Sequence, residues 1–263
     1  MTLRQKEIAL KKKLEYHYKY FDFSQISPDP LEFPHRFKNF HDIEVSAFIS
    51  SVFAYGNVKQ INDTLKKIHA VMKQPHRFVM NYKYESGLKK FSKIKHRFYT
   101  TEDIARLFYA LNRIYTSYGS LNYLFLLYYF DKDPTLKNSI AFFTEHFNLF
   151  LLEKGKLTNG LKFMSPDPMK GSACKRMNLF LRWMIRKDEL DFGLWKEFSP
   201  SQLLIPVDTH VAKICKDLGL TKQKTASWKM AEEITQKLKK FDPTDPVKYD
   251  FAICHIGMRK MEF

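Results

Sequence analysis

The stretch Gly-Ser-Ala-Cys-Lys-Arg at residues 171–176 is the most informative part of this sequence. The residues before it, Pro-Asp-Pro-Met-Lys at 166–170, are typical of turns, whereas residues 173–185 contain neither Gly nor Pro and predict a helix. Lys175 therefore falls in the first turn of that helix. Because the start of a helix is effectively positive, it disfavours a protonated ammonium and favours the neutral amine that acts as a nucleophile. Alternatively, Lys175 is one of many surface lysines, with Arg176 and Arg182 beside it on a solvated face.

A second stretch, Pro-Val-Asp-Thr-His at 206–210, places Asp208 33 positions after Lys175. Pro206 ends the preceding segment, and apolar residues then follow helical spacing from position 211 until Gly219 closes the helix. Asp208 is thus an N-cap by pattern, and capping alone explains an Asp there. Backbone donors also hold such a carboxylate ionised, which is the state needed to stabilise a positively charged sugar in a transition state.

The order of these elements resembles the helix-hairpin-helix DNA glycosylase superfamily: a turn, a helix with Lys in its first turn, and then Pro-Val-Asp-Thr-His opening another helix. The resemblance is strongest from about residue 165 to residue 263. The wide spacing between Lys175 and Asp208 resembles the spacing in the archaeal 8-oxoguanine DNA glycosylase/lyase branch more than that in the eukaryotic branch. The strings Lys-Arg-Met-Asn-Leu-Phe-Leu-Arg-Trp-Met at 175–184 and Asp-Pro-Val-Lys-Tyr-Asp-Phe-Ala at 245–252 also resemble a bacterial family labelled as a domain of unknown function.

The resemblance implies a base excision repair enzyme, a DNA glycosylase with AP-lyase activity that excises an oxidised purine. It favours 8-oxoguanine and leaves alkylated and deaminated purines open. Lys175 matches the family's nucleophile, which attacks the anomeric carbon and forms a Schiff base that can undergo β-elimination. Asp208 matches the carboxylate that stabilises the cationic sugar and moves protons. No cofactor and no metal are expected.

The turn before the catalytic helix is the first place where the resemblance implies DNA contact. Gly171, Ser172 and Ala173 would offer backbone amides to a DNA phosphate. His210 matches a position that contacts a phosphate near the lesion, although a polar residue at a helix start explains it equally. The family's turn has two glycines in a Gly-x-Gly pattern, whereas this chain has only Gly171, which leaves the geometry of the hairpin and any monovalent ion there open.

The base pocket is implied to lie on a helix predicted from Pro246 to about residue 256. Asp250 and Cys254 share one face of that helix, one turn apart. By resemblance, Asp250 accepts hydrogens from the N–H groups of a purine, and Cys254 stands where the archaeal enzymes have an aromatic residue. The stacking surface is then expected from Phe251, from Trp228 or from elsewhere in the chain. A solvated helix position is the alternative for Asp250.

In the N-terminal half, Ala-Tyr-Gly-Asn at 54–57 separates two helical runs. This segment resembles the one from which the family inserts a polar side chain into the gap left by a flipped base, where a plug offsets the cost of unstacking. Asn57 is the first candidate for the plug and Tyr55 the second. A Gly-Asn turn between two helices explains the same residues.

Composition indicates a polyanionic partner. The chain has 44 basic and 28 acidic residues and a formal charge of +16, which favours DNA through counterion release. Ten Lys or Arg residues lie between Lys66 and Arg97, against Glu85 as the single acid, and this segment predicts phosphate contact. An anionic membrane surface is the competing partner, but no lipidation signal or amphipathic anchor stands out.

The apolar pattern is helical throughout and predicts an all-α fold of two helical lobes, with a helix-hairpin-helix element and a cleft between the lobes. One lobe spans about 40–155, and the other combines about 1–40 with 156–263, with the crossing expected in 154–169. Helices are predicted at 3–20, 41–55, 58–72, 102–118, 136–153, 173–186, 206–218, 225–239 and 246–257.

Location and assembly follow from simpler features. Three widely spaced cysteines, an odd number, favour a reducing cytoplasm and cannot form a four-cysteine iron–sulfur loop. No secretory signal pattern opens the chain. We expect a cytoplasmic, nucleoid-associated monomer that binds double-stranded DNA containing a damaged base and does not bind membranes. Two other classes stay open: a non-catalytic nucleic-acid-binding helix-hairpin-helix protein, and a helical interaction protein whose charge serves solubility.

Overall fold

The computed structural model describes residues 2–259 and 261, and these residues form α-helices and short 3-10 helices but no β-strand. This confirms the predicted all-α class. The α-helices are α1 (Leu3–Tyr20), α2 (Phe40–Phe53), α3 (Val58–Met72), α4 (Pro75–Met80), α5 (Tyr84–Lys90), α6 (Thr101–Tyr118), α7 (Leu121–Leu126), α8 (Lys137–Leu152), α9 (Asn159–Met164), α10 (Lys175–Ile185), α11 (Thr209–Asp217), α12 (Trp228–Leu238) and α13 (Asp250–Arg259). Among the described residues, no helix is long and apolar enough to cross a membrane.

The longer helices lie where the apolar periodicity predicts them, and the differences are at their ends. The helix predicted at 206–218 begins only at Thr209, because Pro206 and Val207 lie outside the helix and Asp208 caps it. The helix predicted at 246–257 begins later, at Asp250. The sequence also misses α4, α5, α7 and α9, which have only six or seven residues and therefore show less than two turns of apolar pattern.

The chain divides into two compact units. Unit 1 comprises Met1–Ile26, Asp131–Leu136 and Pro168–Phe263, and unit 2 comprises Ser27–Phe130 and Lys137–Asp167. The sequence predicts lobe boundaries near 40 and 155, whereas the units change at 26–27 and 167–168, with residues 131–136 returning to unit 1. The predicted cleft and helix-hairpin-helix element stay predictions.

In unit 1, α10 supplies much of the core, with Phe180, Leu181, Trp183 and Met184 fully buried. The helix α13 packs against both α11 and α1. Where α11 and α13 meet, a Cβ on Gly257 would lie 3.0 Å from the Cβ of His210. The missing side chain at Gly257 therefore allows the close approach of α13 to the start of α11.

In unit 2, a buried carboxylate ties three helices together. Glu44 of α2 is fully buried and accepts a hydrogen bond from the Tyr115 hydroxyl of α6 at 2.5 Å. It also accepts from the backbone N–H groups of Leu121 and Asn122, which open α7, at 3.0 and 3.1 Å. A charge at a helix start with three donors is stabilised despite its burial, so this contact fixes α2 against α6 and α7.

Candidate active site

The structure brings Lys175 and Asp208 together in unit 1. The Lys175 Nζ lies 3.3 Å from the Asp208 Oδ2, and the two side chains keep 26% and 21% of their surfaces exposed. The predicted proximity of an amine and a carboxylate at two helix starts is thus observed. Both groups are half-buried, so they are held in place and still reachable by a molecule from outside.

Lys175 is positioned by a sharp turn. It is the first residue of α10, and Cys174 before it caps the helix in the left-handed conformation, with φ of 45°, while its own side chain is buried. Gly171 is also left-handed, with φ of 81°, and the space where its Cβ would lie is open. Non-glycine residues adopt such a conformation at an energetic cost and do so most often at functional sites. The turn is preceded by a 3-10 helix (Pro168–Lys170).

Backbone and hydroxyl contacts fix this turn. The Gly171 carbonyl accepts from the Trp228 backbone N–H at 3.0 Å, which anchors the turn to the start of α12, and the Gly171 N–H donates to the Pro168 carbonyl at 3.1 Å. The Ser172 hydroxyl accepts from the Cys174 N–H at 3.2 Å. The amide of Gly171, which the sequence assigns to a DNA phosphate, is therefore already used inside the turn.

The two carboxylate oxygens of Asp208 have different partners. Its Oδ1 accepts from the backbone N–H groups of His210 and Val211, both at 2.9 Å, and so caps α11 as predicted, while its Oδ2 faces Lys175. Burial raises the pKa of this carboxyl, but the charge of Lys175 and the Val211 N–H outweigh burial and bring the pKa below its ordinary value. Asp208 is therefore held ionised. His210 is exposed at the start of the helix.

Asp250, predicted for the base pocket, is almost fully buried, with 2% of its surface exposed. The alternative of a solvated helix position is therefore wrong. Its Oδ2 accepts from the Arg182 Nη1, whereas its Oδ1 has no hydrogen-bond partner among the described residues. Burial raises the pKa of Asp250 to about 6, although the Arg182 charge opposes the rise. The charges of Asp208 and Lys175 also act on Asp250, so the three groups share one electrostatic environment.

The arginines of α10 form a buried ionic network that the sequence does not predict. The Arg182 Nη2 lies 3.2 Å from an oxygen of Asp191, and Arg186 donates to Asp191, to Asp188 at 2.8 Å and to Asp245 at 2.8 and 3.0 Å. Burial alone would lower the pKa of Arg186, but these carboxylates raise it well above its ordinary value. The alternative that Lys175 shares a solvated face with Arg176 and Arg182 is wrong, because both arginines are buried.

The residues predicted to stack on a base are less accessible than expected. Phe251 is 5% exposed and stacks on His255 with 3.9 Å between ring centroids. Trp228 is 3% exposed, and its Nε1 donates to Glu232 at 2.7 Å. These rings are enclosed because apolar side chains at the starts of α12 and α13 fill the core. Cys254 is the partly exposed member of the predicted pocket, and a base-stacking role for Phe251 or Trp228 stays a prediction.

Cys215 is a neighbour of the site that sequence reasoning misses. It is fully buried on α11, and burial, together with the negative charges of Asp250 and Asp208, raises the pKa of its thiol far above the ordinary value. The thiol is therefore neutral and unreactive. Its position seven residues after Asp208 on a helical pattern is the sequence signal that could have placed it near the site. Among the described residues, no group of three or more His, Cys, Asp or Glu could hold a metal ion.

In unit 2, the structure places the two predicted plug residues in different settings. Asn57 is exposed and caps α3, with its side-chain oxygen accepting from the N–H groups of Lys59 at 2.9 Å and Gln60 at 3.4 Å. Tyr55 is half-buried, and its hydroxyl donates to the His96 carbonyl at 2.8 Å. The Gly-Asn turn between helices is therefore present, and its use as a plug stays a prediction.

An aromatic cluster around Tyr55 is a surface feature that the sequence does not reveal. The Phe98 ring is stacked with Tyr55 at 6.2 Å and is 55% exposed, and Phe163 contacts both rings and is 39% exposed. The Arg97 guanidinium lies 5.6 Å from the centroids of both the Tyr55 and the Phe98 rings. We call Tyr55, Arg97, Phe98 and Phe163 the aromatic cluster. The ten basic residues predicted for phosphate contact between Lys66 and Arg97 are all exposed.

Residues 29–259 match the family described as Protein of unknown function (DUF2400), so the match extends well beyond the C-terminal strings that resemble a family of this kind. No curated protein matches the chain. No solved structure matches it either.

Proposed function

We propose that this chain, which belongs to the DUF2400 family, is a DNA glycosylase with AP-lyase activity that excises an oxidised purine, with 8-oxoguanine as the favoured base. The observation that carries the proposal is the 3.3 Å approach of the Lys175 Nζ to the Asp208 Oδ2 at two half-buried helix starts. An amine nucleophile paired with an ionised carboxylate is the minimum equipment for displacing a base from a sugar.

In the first step, the neutral Lys175 amine attacks the anomeric carbon of an extruded nucleotide. The bond between that carbon and the base breaks, and its electron pair leaves with the base, which takes up a proton. Before the attack, Lys175 loses a proton to solvent, which reaches the half-exposed Nζ, and Asp208 stays ionised. A covalent link between Nζ and the sugar results.

In the second step, the nitrogen of the adduct loses a proton, and its electron pair forms a double bond to the anomeric carbon as the bond from that carbon to the ring oxygen breaks. The ring oxygen takes up a proton and becomes a hydroxyl, which leaves a protonated Schiff base. Loss of a proton from the neighbouring carbon then expels the 3′-phosphate and nicks the strand. Water finally hydrolyses the Schiff base and frees Lys175. The intermediate is a cationic imine, which is why sodium borohydride can trap it.

Asp208 stabilises the positive charge that develops on the sugar while the base leaves. Because two backbone N–H groups already hold its Oδ1, the carboxylate needs no reorganisation when that charge appears. Preorganised charges of this kind contribute on the order of 3 kcal/mol to lowering a barrier.

Recognition of an oxidised purine is supported by Asp250. Its Oδ1 is a buried acceptor with no hydrogen-bond partner among the described residues, and such atoms are rare in folded proteins. The N–H groups of a purine edge are donors that would satisfy it. Cys254, one turn further along α13 and partly exposed, marks the side from which a base would approach.

Binding to double-stranded DNA is supported by the charge of +16 and by the exposed basic residues of unit 2. The aromatic cluster adds rings on which a base can stack, and Arg97 adds a cation beside them. A protein with these properties is expected with the nucleoid, where its substrate lies.

The decisive experiment incubates the protein with a duplex containing 8-oxoguanine in the presence of sodium borohydride. We expect a covalent protein–DNA species on a denaturing gel with the wild type and none with Lys175→Gln. Lys229→Gln, an exposed lysine on α12, is the matched control and should be trapped like the wild type. A panel of duplexes with oxidised, alkylated or deaminated purines identifies the base.

A non-catalytic nucleic-acid-binding protein is the second candidate. The observation that favours it is the ion pair itself, because a protonated Lys175 bound to Asp208 has no electron pair for attack. It predicts duplex binding that weakens with salt, no preference for a lesion and no trapped species.

For the glycosylase proposal, trapping that is equally strong in Lys175→Gln would refute the assignment of Lys175 as the nucleophile.

A further inference from the structure

We propose that a groove in unit 1, between α1 and the C-terminal ends of α11 and α12, binds an acidic peptide that carries apolar side chains. The groove encloses about 620 Å³, which is enough for several side chains of a partner. It involves neither Lys175 nor Asp208, so the inference is independent of the proposed enzymatic activity.

The floor of the groove is apolar and partly open to solvent. It consists of Ala9 and Leu10 of α1, Leu218 and Leu220 beside the end of α11, and Phe241 beyond the end of α12. Four of these five residues are only half-buried, and Leu220 is buried. Apolar surface in a concave site is a common mark of a binding site.

The rim of the groove is basic. Lys6 and Lys13 of α1 lie on one side and Lys237 and Lys240 on the other, with Glu7 as the accompanying acid. Glu7 lies 3.1 Å from the Lys240 Nζ, and the Lys237 Nζ donates to the Gly219 carbonyl at 2.8 Å. These contacts hold the second pair of lysines at the edge of the groove, while Lys6 and Lys13 are exposed on a helical face.

The combination of an apolar floor and a lysine rim selects among partners by charge and shape. A nucleic-acid backbone would gain from the lysines but would leave its charged phosphates against an apolar floor, which is costly. A second copy of this chain carries the same charge of +16 and is repelled. A peptide with acidic and apolar side chains satisfies both parts at once, with the acids on the rim and an apolar side chain on the floor.

The test uses fluorescence anisotropy with a fluorescein-labelled peptide of sequence Asp-Glu-Leu-Asp-Glu-Phe-Leu-Asp and the full-length protein. A control peptide has Ser in place of Leu and Phe and therefore has the same charge. We expect the control peptide to bind about tenfold more weakly, because it lacks the apolar contact with the floor.

Two double variants of the protein distinguish the effect of the rim lysines from the effect of net charge. Lys6→Glu combined with Lys13→Glu should weaken binding of the labelled peptide by about tenfold or more, because the acidic side chains of the peptide then meet acidic side chains on the rim. Lys11→Glu combined with Lys12→Glu makes the same change in net charge at exposed positions of α1 outside the groove. This variant should weaken binding of the labelled peptide by less than about threefold. Thermal unfolding confirms that both variants are folded.

Three outcomes would overturn the proposal. Equal losses in the two double variants would mean that only net charge matters. Equal binding of the Ser peptide would mean that the floor is not used. Displacement of the peptide by a single-stranded oligonucleotide, with oligonucleotide binding lost specifically in the Lys6 and Lys13 variant, would assign the groove to nucleic acid. Lys175→Gln should bind the peptide as the wild type does.

Discussion

The two ends of α10 hold the same kind of contact, a cation against aspartates, in opposite surroundings. At the N-terminal end, Lys175 and Asp208 keep 26% and 21% of their side-chain surfaces exposed and meet at a single distance of 3.3 Å. Towards the C-terminal end, Arg182 and Arg186 are each 3% exposed and are held by four aspartates. One helix thus carries a loose, accessible pair and a tight, enclosed network.

The two kinds of cation differ in the chemistry open to them. A guanidinium stays protonated in a protein, and several carboxylates hold it in a fixed geometry, so it cannot serve as a nucleophile. A lysine amine, unlike a guanidinium, can lose its proton, and a partly exposed one can reach a substrate. The accessible pair therefore supports the proposal of chemistry at the first turn of α10, and the enclosed network stabilises the C-terminal end of the helix.

The largest effect is expected from breaking the enclosed network with Arg186→Met. Methionine keeps roughly the length of the side chain but leaves the carboxylates of Asp188 and Asp245 without this cation. The fully buried Asp191 is then left with Arg182. We expect the free energy of unfolding to fall by about 3–5 kcal/mol. Urea denaturation followed by circular dichroism measures this change.

The control for that variant is Lys187→Met, which removes an exposed cation at the next position. It should change the free energy of unfolding by less than about 0.5 kcal/mol. A loss below about 1 kcal/mol in Arg186→Met would show that the network contributes no more than a surface ion pair, and the contrast between the two ends of α10 would disappear.

The next effect concerns activity at the accessible end. Asp208→Asn keeps a good N-cap for α11 but removes the negative charge, so base release under single-turnover conditions should slow by about 10²–10³-fold, or about 3–4 kcal/mol. Stability should change little. Asp208→Ala should lose a similar amount of activity and, because the cap is lost as well, about 1 kcal/mol of stability. A rate for Asp208→Asn within about twofold of the wild type would contradict the assigned role.

The sequence predicts the accessible end of α10 far better than the enclosed one. Lys175 at a helix start and Asp208 as an N-cap follow from local signals, namely turn residues, proline and helical spacing, and both predicted positions are observed. The all-α class follows from the same periodicity. These features depend on residues that are close together in the chain.

The enclosed network could not be predicted, because its partners come from separate segments. Asp245 and Asp250 lie 59 and 68 positions from the arginines they bind, and no local pattern indicates that Arg182 and Arg186 are buried. The burial of Phe251 and Trp228 was missed for the same reason, since a residue type shows hydrophobicity but not which neighbours cover it. Short helices such as α4 and α9 depend on tertiary packing and carry too little pattern to be seen.

The opposite pKa shifts of two aspartates offer a pH test of the same comparison. The pKa of Asp208 is lowered, so its stabilising effect is present above its ordinary pKa of 3.8 and is lost as the pH falls below that value. The pKa of Asp250 is raised to about 6, so its stabilising effect is present below 3.8 and is lost as the pH rises through about 6. Unfolding is measured against pH for the wild type, Asp208→Asn and Asp250→Asn.

The two difference curves should have opposite signs. The stability of the wild type relative to Asp250→Asn should fall between about pH 4 and pH 6, by at most about 1.4 kcal/mol per pH unit, and stay constant above that range. Its stability relative to Asp208→Asn should fall only when the pH drops below about 4. Flat curves for both variants would mean that neither carboxyl changes its pKa on folding, and the contrast between the two aspartates would disappear.

The smallest effect on stability is expected at Lys175, whose Nζ is the proposed nucleophile. Lys175→Gln removes the proposed nucleophile, yet it should change the free energy of unfolding by less than about 1 kcal/mol, because a partly exposed ion pair contributes little. A cation in the first turn of a helix is also unfavourable, so its loss offsets part of the lost attraction to Asp208. Thermal unfolding of Lys175→Gln and Arg186→Met under the same conditions compares the loss of stability in the two variants. If Lys175→Gln were the more destabilising of the two, Lys175 would be a structural cation, and the accessible end of α10 would no longer differ in kind from the enclosed end.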